Sequence, residues 1–89
     1  MTNNEPSESM DQNLIRRIAE AALLAAPQPL TLSQLAALFP EDELPPPGSL
    51  EQAIADLRTD CETRGVELVE VASGFRFQVK PDVHSFVAR

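Results

Sequence analysis

Residues 49–80, SLEQAIADLRTDCETRGVELVEVASGFRFQVK, decide the fold because the spacing of their apolar residues changes partway along. In residues 50–64 the apolar side chains recur at i, i+3, i+4, i+7 and i+11, which is typical of a helix with one core-facing stripe. Residues 66–72 are rich in β-branched side chains, and residues 75–80 alternate between apolar and polar, as in a half-buried strand. Because Ser73-Gly74 separates these extended runs, the stretch predicts a long helix followed by a β-hairpin.

This stretch also predicts local details that a structure can test. Ser49 and Gln52 have the spacing of a capping box, so the helix should start behind Ser49. Gly65 stands where a left-handed cap would end the helix. The alternation slips between Leu68 and Val69, which predicts a bulge or contact on both sides of the strand. The predicted core stripe of the helix is Leu50, Ala53, Ile54, Leu57 and Cys61.

An earlier helix is predicted over residues 11–26, between the capping residue Asp11 and the helix breakers Pro27 and Pro29. On a wheel of about 100° per residue, one face is apolar and is predicted to meet the core. That face holds Leu14, Ile18, Ala21 and Ala25, flanked by Ile15, Ala22 and Leu24. The opposite face holds Arg16, Arg17, Ala19, Glu20 and Leu23. Leu23 is therefore an apolar outlier on a face predicted to be exposed.

The remaining segments complete a recognisable order. Residues 31–39 predict a short apolar helix, opened by the capping-box spacing of Thr31 and Gln34 and closed by Pro40. Residues 41–48, with three acids and three consecutive prolines, predict a surface loop. A last short helix is expected over residues 81–89, with Val83, Phe86 and Val87 on one side, and its abrupt end suggests that the natural protein continues.

Three helices followed by a two-stranded wing and a short C-terminal helix form a winged helix-turn-helix, an α+β fold that is mainly α. We expect one such domain over residues 11–89, the first of two in the natural protein, and a flexible polar tail over residues 1–10. A chain of 89 residues is too short for two domains. An unrelated α+β mini-domain is the alternative.

The amino-acid composition indicates in which cellular compartment the protein resides and which reactions it could catalyse. The single cysteine, Cys61, excludes an intrachain disulfide, and it falls in a core stripe, where a structural thiol is expected. The single histidine, His84, has no recognisable nucleophile beside it and is predicted to lie on a surface helix. No apolar run reaches the length of a membrane span, and the N-terminal residues lack the basic segment and apolar run of a signal peptide. We therefore expect a cytoplasmic protein that is not an enzyme and binds no small molecule.

Metal and phosphate sites are not predicted either. Glu41, Asp42 and Glu43 are consecutive and lack the spaced oxygen ligands and the turn glycine of a calcium loop. The three glycines of the chain are far apart and are accounted for by turns or caps. The sequence predicts no cofactor and no metal.

The distribution of charge indicates whether DNA or protein is the binding partner. The chain has 14 acidic and 7 basic residues, a net charge of −7, whereas DNA affinity depends on neutralising phosphates. The helix that would enter the major groove carries four acids against two arginines. In the wing, Arg76 and Lys80 are offset by Glu67 and Glu70. The pattern favours protein binding over sequence-specific DNA binding, and a winged-helix transcriptional regulator is the alternative.

Two segments resemble the N-terminal winged-helix domain of the segregation and condensation protein B family, ScpB. Residues 20–30, EAALLAAPQPL, are similar to the family's Glu-Ala, apolar run, turn and Pro-Leu. Residues 64–82, RGVELVEVASGFRFQVKPD, resemble its helix-ending Arg-Gly, its wing and the Lys-Pro-acid step that follows. Pro27-Gln28 replaces a turn often built with glycine, and residues 45–47 make a longer insertion than the family pattern.

The resemblance implies a non-enzymatic accessory subunit of the bacterial SMC condensin complex. Such proteins dimerise and bind the kleisin subunit ScpA, which links the SMC ATPase heads, in chromosome condensation and segregation. The protein would therefore associate with the nucleoid through the complex. Within the first helix, we predict that Leu23, with its neighbours Arg16 and Glu20, lies at an interface; the alternative is a helix that is buried on more than one side.

Overall fold

The computed structural model describes residues 11–88, and the predicted tail over residues 1–10 lies outside them. The main elements are α1 (Gln12–Ala25), α2 (Leu32–Ala36), α3 (Ser49–Asp60), β1 (Val66–Val71), β2 (Gly74–Val79) and α4 (Pro81–Val87). Short 3-10 turns occupy Glu41–Glu43 and Cys61–Thr63. The order of three helices, an antiparallel hairpin and a short last helix confirms the predicted winged-helix fold.

The first two helices begin as the sequence predicts. The Asp11 side chain accepts a hydrogen bond from the Asn13 N–H at 3.2 Å, which caps α1. At α2 both capping-box bonds form: the Thr31 hydroxyl accepts from the Gln34 N–H at 3.0 Å, and the Gln34 side chain accepts from the Thr31 N–H at 2.9 Å. These bonds satisfy backbone donors that the first turn of a helix leaves unpaired.

The start of α3 differs from the prediction. Ser49 is the first helical residue, and Gly48 precedes it in the left-handed region with φ of 81°. The Ser49 hydroxyl donates to the Pro46 carbonyl oxygen at 2.6 Å, and the Gln52 side chain donates to Asp56 at 2.9 Å. The predicted capping box is wrong, because a serine inside the helix cannot cap it from the flanking position.

The end of α3 also differs. Among the described glycines only Gly48 and Gly74 have positive φ, so the predicted left-handed cap at Gly65 is wrong. The Lys80 Nζ instead donates to the carbonyl oxygens of Cys61 and Glu62, the latter at 3.1 Å. A lysine from beyond the wing thus satisfies carbonyl groups at the helix end, which a left-handed glycine would otherwise help to pair.

The wing is a regular antiparallel hairpin. Leu68 lies opposite Phe77 and Val69 opposite Arg76, in one continuous register along both strands. The predicted bulge is therefore wrong, while the alternative of contact on both sides fits, since Leu68 is buried and Val69 half-buried. The slip in alternation reflects burial, not an extra residue.

The segment between α1 and α2 is tied to the wing at Gly74. Phe75 donates its N–H to the Leu30 carbonyl oxygen at 2.7 Å, and the Leu30 N–H donates to the Phe75 carbonyl oxygen at 3.0 Å. Gly74 has φ of 135°, and a Cβ there would lie 2.4 Å from the Leu30 carbonyl carbon. Only glycine fits this approach of two backbones.

One hydrophobic core joins the elements, and it corrects the orientation of α1. The core consists of Ile15, Ala19, Leu23, Leu35, Phe39, Leu50, Ala53, Ile54, Leu57, Leu68 and Phe75. The stripe predicted for α3 is buried throughout, including Cys61. In α1 the predicted core face is right at one flank, where Ile15 is buried and Ile18 and Ala22 pack against the core. It is wrong at the other flank, because Leu14 and Leu24 are exposed while Leu23 is buried. In the described part of the chain, no helix is long and apolar enough to cross a bilayer.

Candidate protein-interaction surfaces

The three residues predicted at an interface lie on the inner side of α1. The Arg16 guanidinium pairs with the Asp60 carboxylate at 3.1 Å, and Glu20 approaches Arg64 at 4.0 Å. Leu23 is only 5% exposed and belongs to the core. The prediction that Leu23 is exposed is wrong, and an interface role for Arg16, Glu20 and Leu23 stays a prediction.

The ion pairs explain why the sequence pattern misplaces this face. Charged residues usually mark the solvent side of a helix, but here Arg16 and Glu20 lie at the edge of the buried stripe. Their charged groups reach Asp60 and Arg64 at the far end of α3, which keeps the heads partly in water while their stems pack inward. Both pairs are partly exposed, so they contribute little to stability while lying beside the buried side of α1.

The opposite side of α1 is apolar and exposed. This outer face consists of Leu14, Ile18, Ala21, Leu24 and Ala25. Leu24 is 67% exposed and Leu14 39% exposed, while Ile18, at the border of this face, is half-buried and packs against the core. The sequence pattern identified nearly the same residues as one stripe but assigned the stripe to the core. A helix with apolar stripes on two sides buries only one of them here, and the other is available to a partner.

A short cleft continues from the end of α1 towards the wing. Its volume is about 210 Å³, and its walls include Leu24, Pro27, Pro29 and Phe77, with Arg76 at one side. Arg76 donates to Gln78 at 3.3 Å. From the sequence, Pro27 and Pro29 are predicted only as helix breakers, and the bridge between Leu30 and Phe75 places them beside the wing. The cleft extends the apolar surface of α1 and adds a basic group.

Two of the basic side chains on the face that would read DNA, Arg58 and Lys80, bond within the fold. Arg58 of α3 donates through Nε to the Leu68 carbonyl oxygen at 3.4 Å, and its guanidinium lies 5.7 Å from the centre of the Phe75 ring. Lys80 is held by carbonyl groups at the end of α3. The acidic groups of the same region, among them Glu51 and Glu70, remain exposed. This arrangement presents net negative charge where phosphates would have to approach.

The two titratable residues considered for catalysis, Cys61 and His84, lie in different environments. Cys61 is 3% exposed in the core, and His84 is exposed on α4, both as predicted. Between residues 11 and 88, no group of three histidine, cysteine or acidic side chains gathers in a way that could hold a metal ion.

Comparisons with known proteins agree on one family. The family described as segregation and condensation complex subunit ScpB matches residues 17–89. A segregation and condensation protein B homolog of Coxiella burnetii is 40% identical over 72 residues, which cover 81% of this chain and 34% of that protein. The segregation and condensation protein B of Syntrophotalea carbinolica is 35% identical over 82 residues, covering 90% of this chain and 40% of that protein.

Solved structures extend the likeness to three dimensions. ScpB from Mycobacterium tuberculosis superposes with a TM-score of 0.73 at 22% identity, covering 89% of this chain and 48% of that one, and supports the fold alone. A dimer of an ScpB N-terminal domain complexed with ScpA peptide superposes with a TM-score of 0.68 at 32% identity, covering 84% of this chain and 91% of that one. The chain spans 34% and 40% of the first two curated relatives. The resemblance seen in the sequence is confirmed: this chain belongs to the ScpB family of segregation and condensation complex subunits.

Proposed function

We propose that this chain is a non-enzymatic accessory subunit of a bacterial SMC–kleisin complex and acts by protein–protein binding. Its partners would be a second copy of itself and an ScpA-type kleisin, and through the kleisin the SMC ATPase. The observation that carries this proposal is the 32% identity to the ScpB N-terminal domain whose solved structure is a dimer complexed with ScpA peptide. The aligned region is 91% of that domain, so the likeness extends over nearly all of it.

The surfaces of the chain support protein over DNA as the partner. The outer face of α1 offers exposed leucines without a carboxylate among them, which suits an apolar partner surface. The competing function, a DNA-binding regulator, would need free cations on α3 and the wing. Arg58 and Lys80 instead bond to backbone carbonyl groups of the chain itself. We favour the condensin role for this reason.

The proposal includes location and domain organisation. A subunit of a chromosome-organising complex would reside in the cytoplasm and associate with the nucleoid through its partners. The 89 residues would form the first of two winged-helix domains. A fluorescent fusion of the full-length protein should colocalise with the nucleoid and should become diffuse when the kleisin is deleted.

Three binding measurements test the function. Calorimetry should detect binding of the ScpA-type kleisin from the same genome, and sedimentation equilibrium should detect self-association. A mobility-shift assay at low salt should show no complex with duplex DNA, where electrostatic binding would be strongest. Salt-dependent DNA binding together with no kleisin binding would overturn the proposal in favour of the regulator.

A further inference from the structure

We propose that the outer face of α1 is the self-association surface, and that two copies pack these helices antiparallel about a two-fold axis. The inference rests on the proposed dimerisation and adds where and how it occurs. The occupant of the face is a second copy of this chain. The order of large and small side chains along the face supports this arrangement.

Four residues define the contact strip. On a wheel of about 100° per residue, Leu14, Ile18, Ala21 and Ala25 fall within a sector of about 60°. Leu14 is 39% exposed, Ala21 and Ala25 are exposed, and Ile18 is half-buried because one side of it packs against the core. At about 1.5 Å of rise per residue the strip is about 16 Å long. It is narrow and straight enough to meet another helix along its whole length.

The strip is complementary to itself in size. An axis placed midway between residues 19 and 20 relates Leu14 to Ala25 and Ile18 to Ala21, since each pair lies at equal distances from it. Each large side chain of one copy then meets an alanine of the other. A two-fold interface requires this reciprocity, because the same patch must fit itself. In a parallel pairing Leu14 would meet Leu14 and Ala25 would meet Ala25, leaving crowding at one end and a gap at the other.

Charge also permits this contact between two acidic chains. Each copy has a net charge of −7, so most mutual approaches are repulsive. The outer face carries no carboxylate, and Glu20 lies on the inner side near Arg64. Arg17 lies at the edge of the strip beside Leu24, and the two-fold axis places Leu24 of the second copy within about 3 Å of it along the helix. The arginine stem can cover that leucine while its charge stays in water.

The length of the contact strip limits the affinity expected for the dimer. Stable complexes bury about 800 Å² per partner, and a helix of 14 residues is only about 21 Å long. The contact is therefore small for a stable dimer. We expect a dimer that is weak and concentration-dependent in this 89-residue chain.

Sedimentation equilibrium over roughly two decades of concentration tests the surface. Ala21→Arg should weaken dimerisation about tenfold or more, because it places a charge against Ile18 of the second copy. Ala55→Arg makes the same change at an exposed alanine of α3 and should leave the dimer unchanged. A size exchange is sharper still. Leu14→Ala and Ala25→Leu should each weaken the dimer, whereas the double variant should recover most of the wild-type affinity.

The outcomes separate this inference from the proposed function. A wild-type dimer that tolerates Ala21→Arg, or a double variant no better than the weaker single variant, would overturn the α1 surface and leave ScpB-type binding intact. A wild-type chain that stays monomeric at every concentration would overturn the surface together with the proposed self-association. Kleisin binding, measured by calorimetry, would then decide separately whether the rest of the function holds.

Discussion

Adjacent leucines in α1 provide a direct test of which side of this helix is buried. Leu23 is 5% exposed in the core, and Leu24 is 67% exposed on the outer face. Leu→Ala removes three carbon groups worth about 0.8 kcal/mol each, or about 2.4 kcal/mol, and the cavity left in a core raises the loss to about 3 kcal/mol. For Leu24 only about a third of the transfer contribution applies, about 0.8 kcal/mol, and the better helix propensity of alanine offsets a few tenths.

Thermal and urea unfolding of the two variants should therefore differ clearly. With a difference of about 2 kcal/mol, Leu23→Ala should melt about 8–16 °C below Leu24→Ala, given 4–8 °C per kcal/mol for a domain of this size. The two substitutions share the same helix and the same change in propensity, so each controls the other. Equal losses, or a larger loss for Leu24→Ala, would refute the burial assigned to α1. The experiment should use dilute protein, so that dimerisation through Leu24 does not contribute.

Three further predictions concern how the fold is held together, and urea unfolding measures each. Gly74→Ala should lower the free energy of unfolding by at least about 2 kcal/mol, because its Cβ would collide with the Leu30 backbone. The control Gly65→Ala, whose Cβ would meet Val83 at 3.6 Å, should lower it by less than about 1 kcal/mol. Equal losses would contradict the backbone contact at Gly74. Thr31→Ala should lose about 1 kcal/mol by removing the α2 cap, and no loss would show that water replaces it. A double-mutant cycle between Arg16 and Asp60 should give about 0.2–1 kcal/mol of coupling that falls with added salt, and a salt-independent value would argue against a partly exposed ion pair.

Local signals in the sequence were enough to predict the element order. Helix starts with short-range chemistry, such as Asp11 and the Thr31–Gln34 box, form as predicted because their partners lie within three residues. The α3 stripe is confirmed because that helix has a single apolar side. The wing is confirmed because Ser73-Gly74 separates two extended runs.

The features that the sequence could not predict depend on partners far along the chain. Lys80, which follows the hairpin, donates to the Cys61 carbonyl oxygen at the end of α3. This bond makes the left-handed cap predicted at Gly65 unnecessary. The sequence predicts Gly74 only as a turn residue. In the structure, the backbone of Leu30, 44 positions earlier, leaves no room for a side chain at Gly74. The orientation of α1 failed for a related reason. With apolar residues on two sides, α1 alone does not reveal which side is buried, and the contacts of Arg16 and Glu20 with Asp60 and Arg64 lie more than 40 residues along the chain.

The distribution of charge links these corrections to function. In a DNA-binding winged helix, cations on the third helix and the wing must be free to meet phosphates. Here Arg58 lies over Phe75, and Lys80 closes the end of α3, so the cations stabilise the wing against the helix. Releasing them to bind DNA would remove contacts that hold the wing in place. The outer face of α1 carries no carboxylate, and we propose that a second copy of this acidic chain binds there.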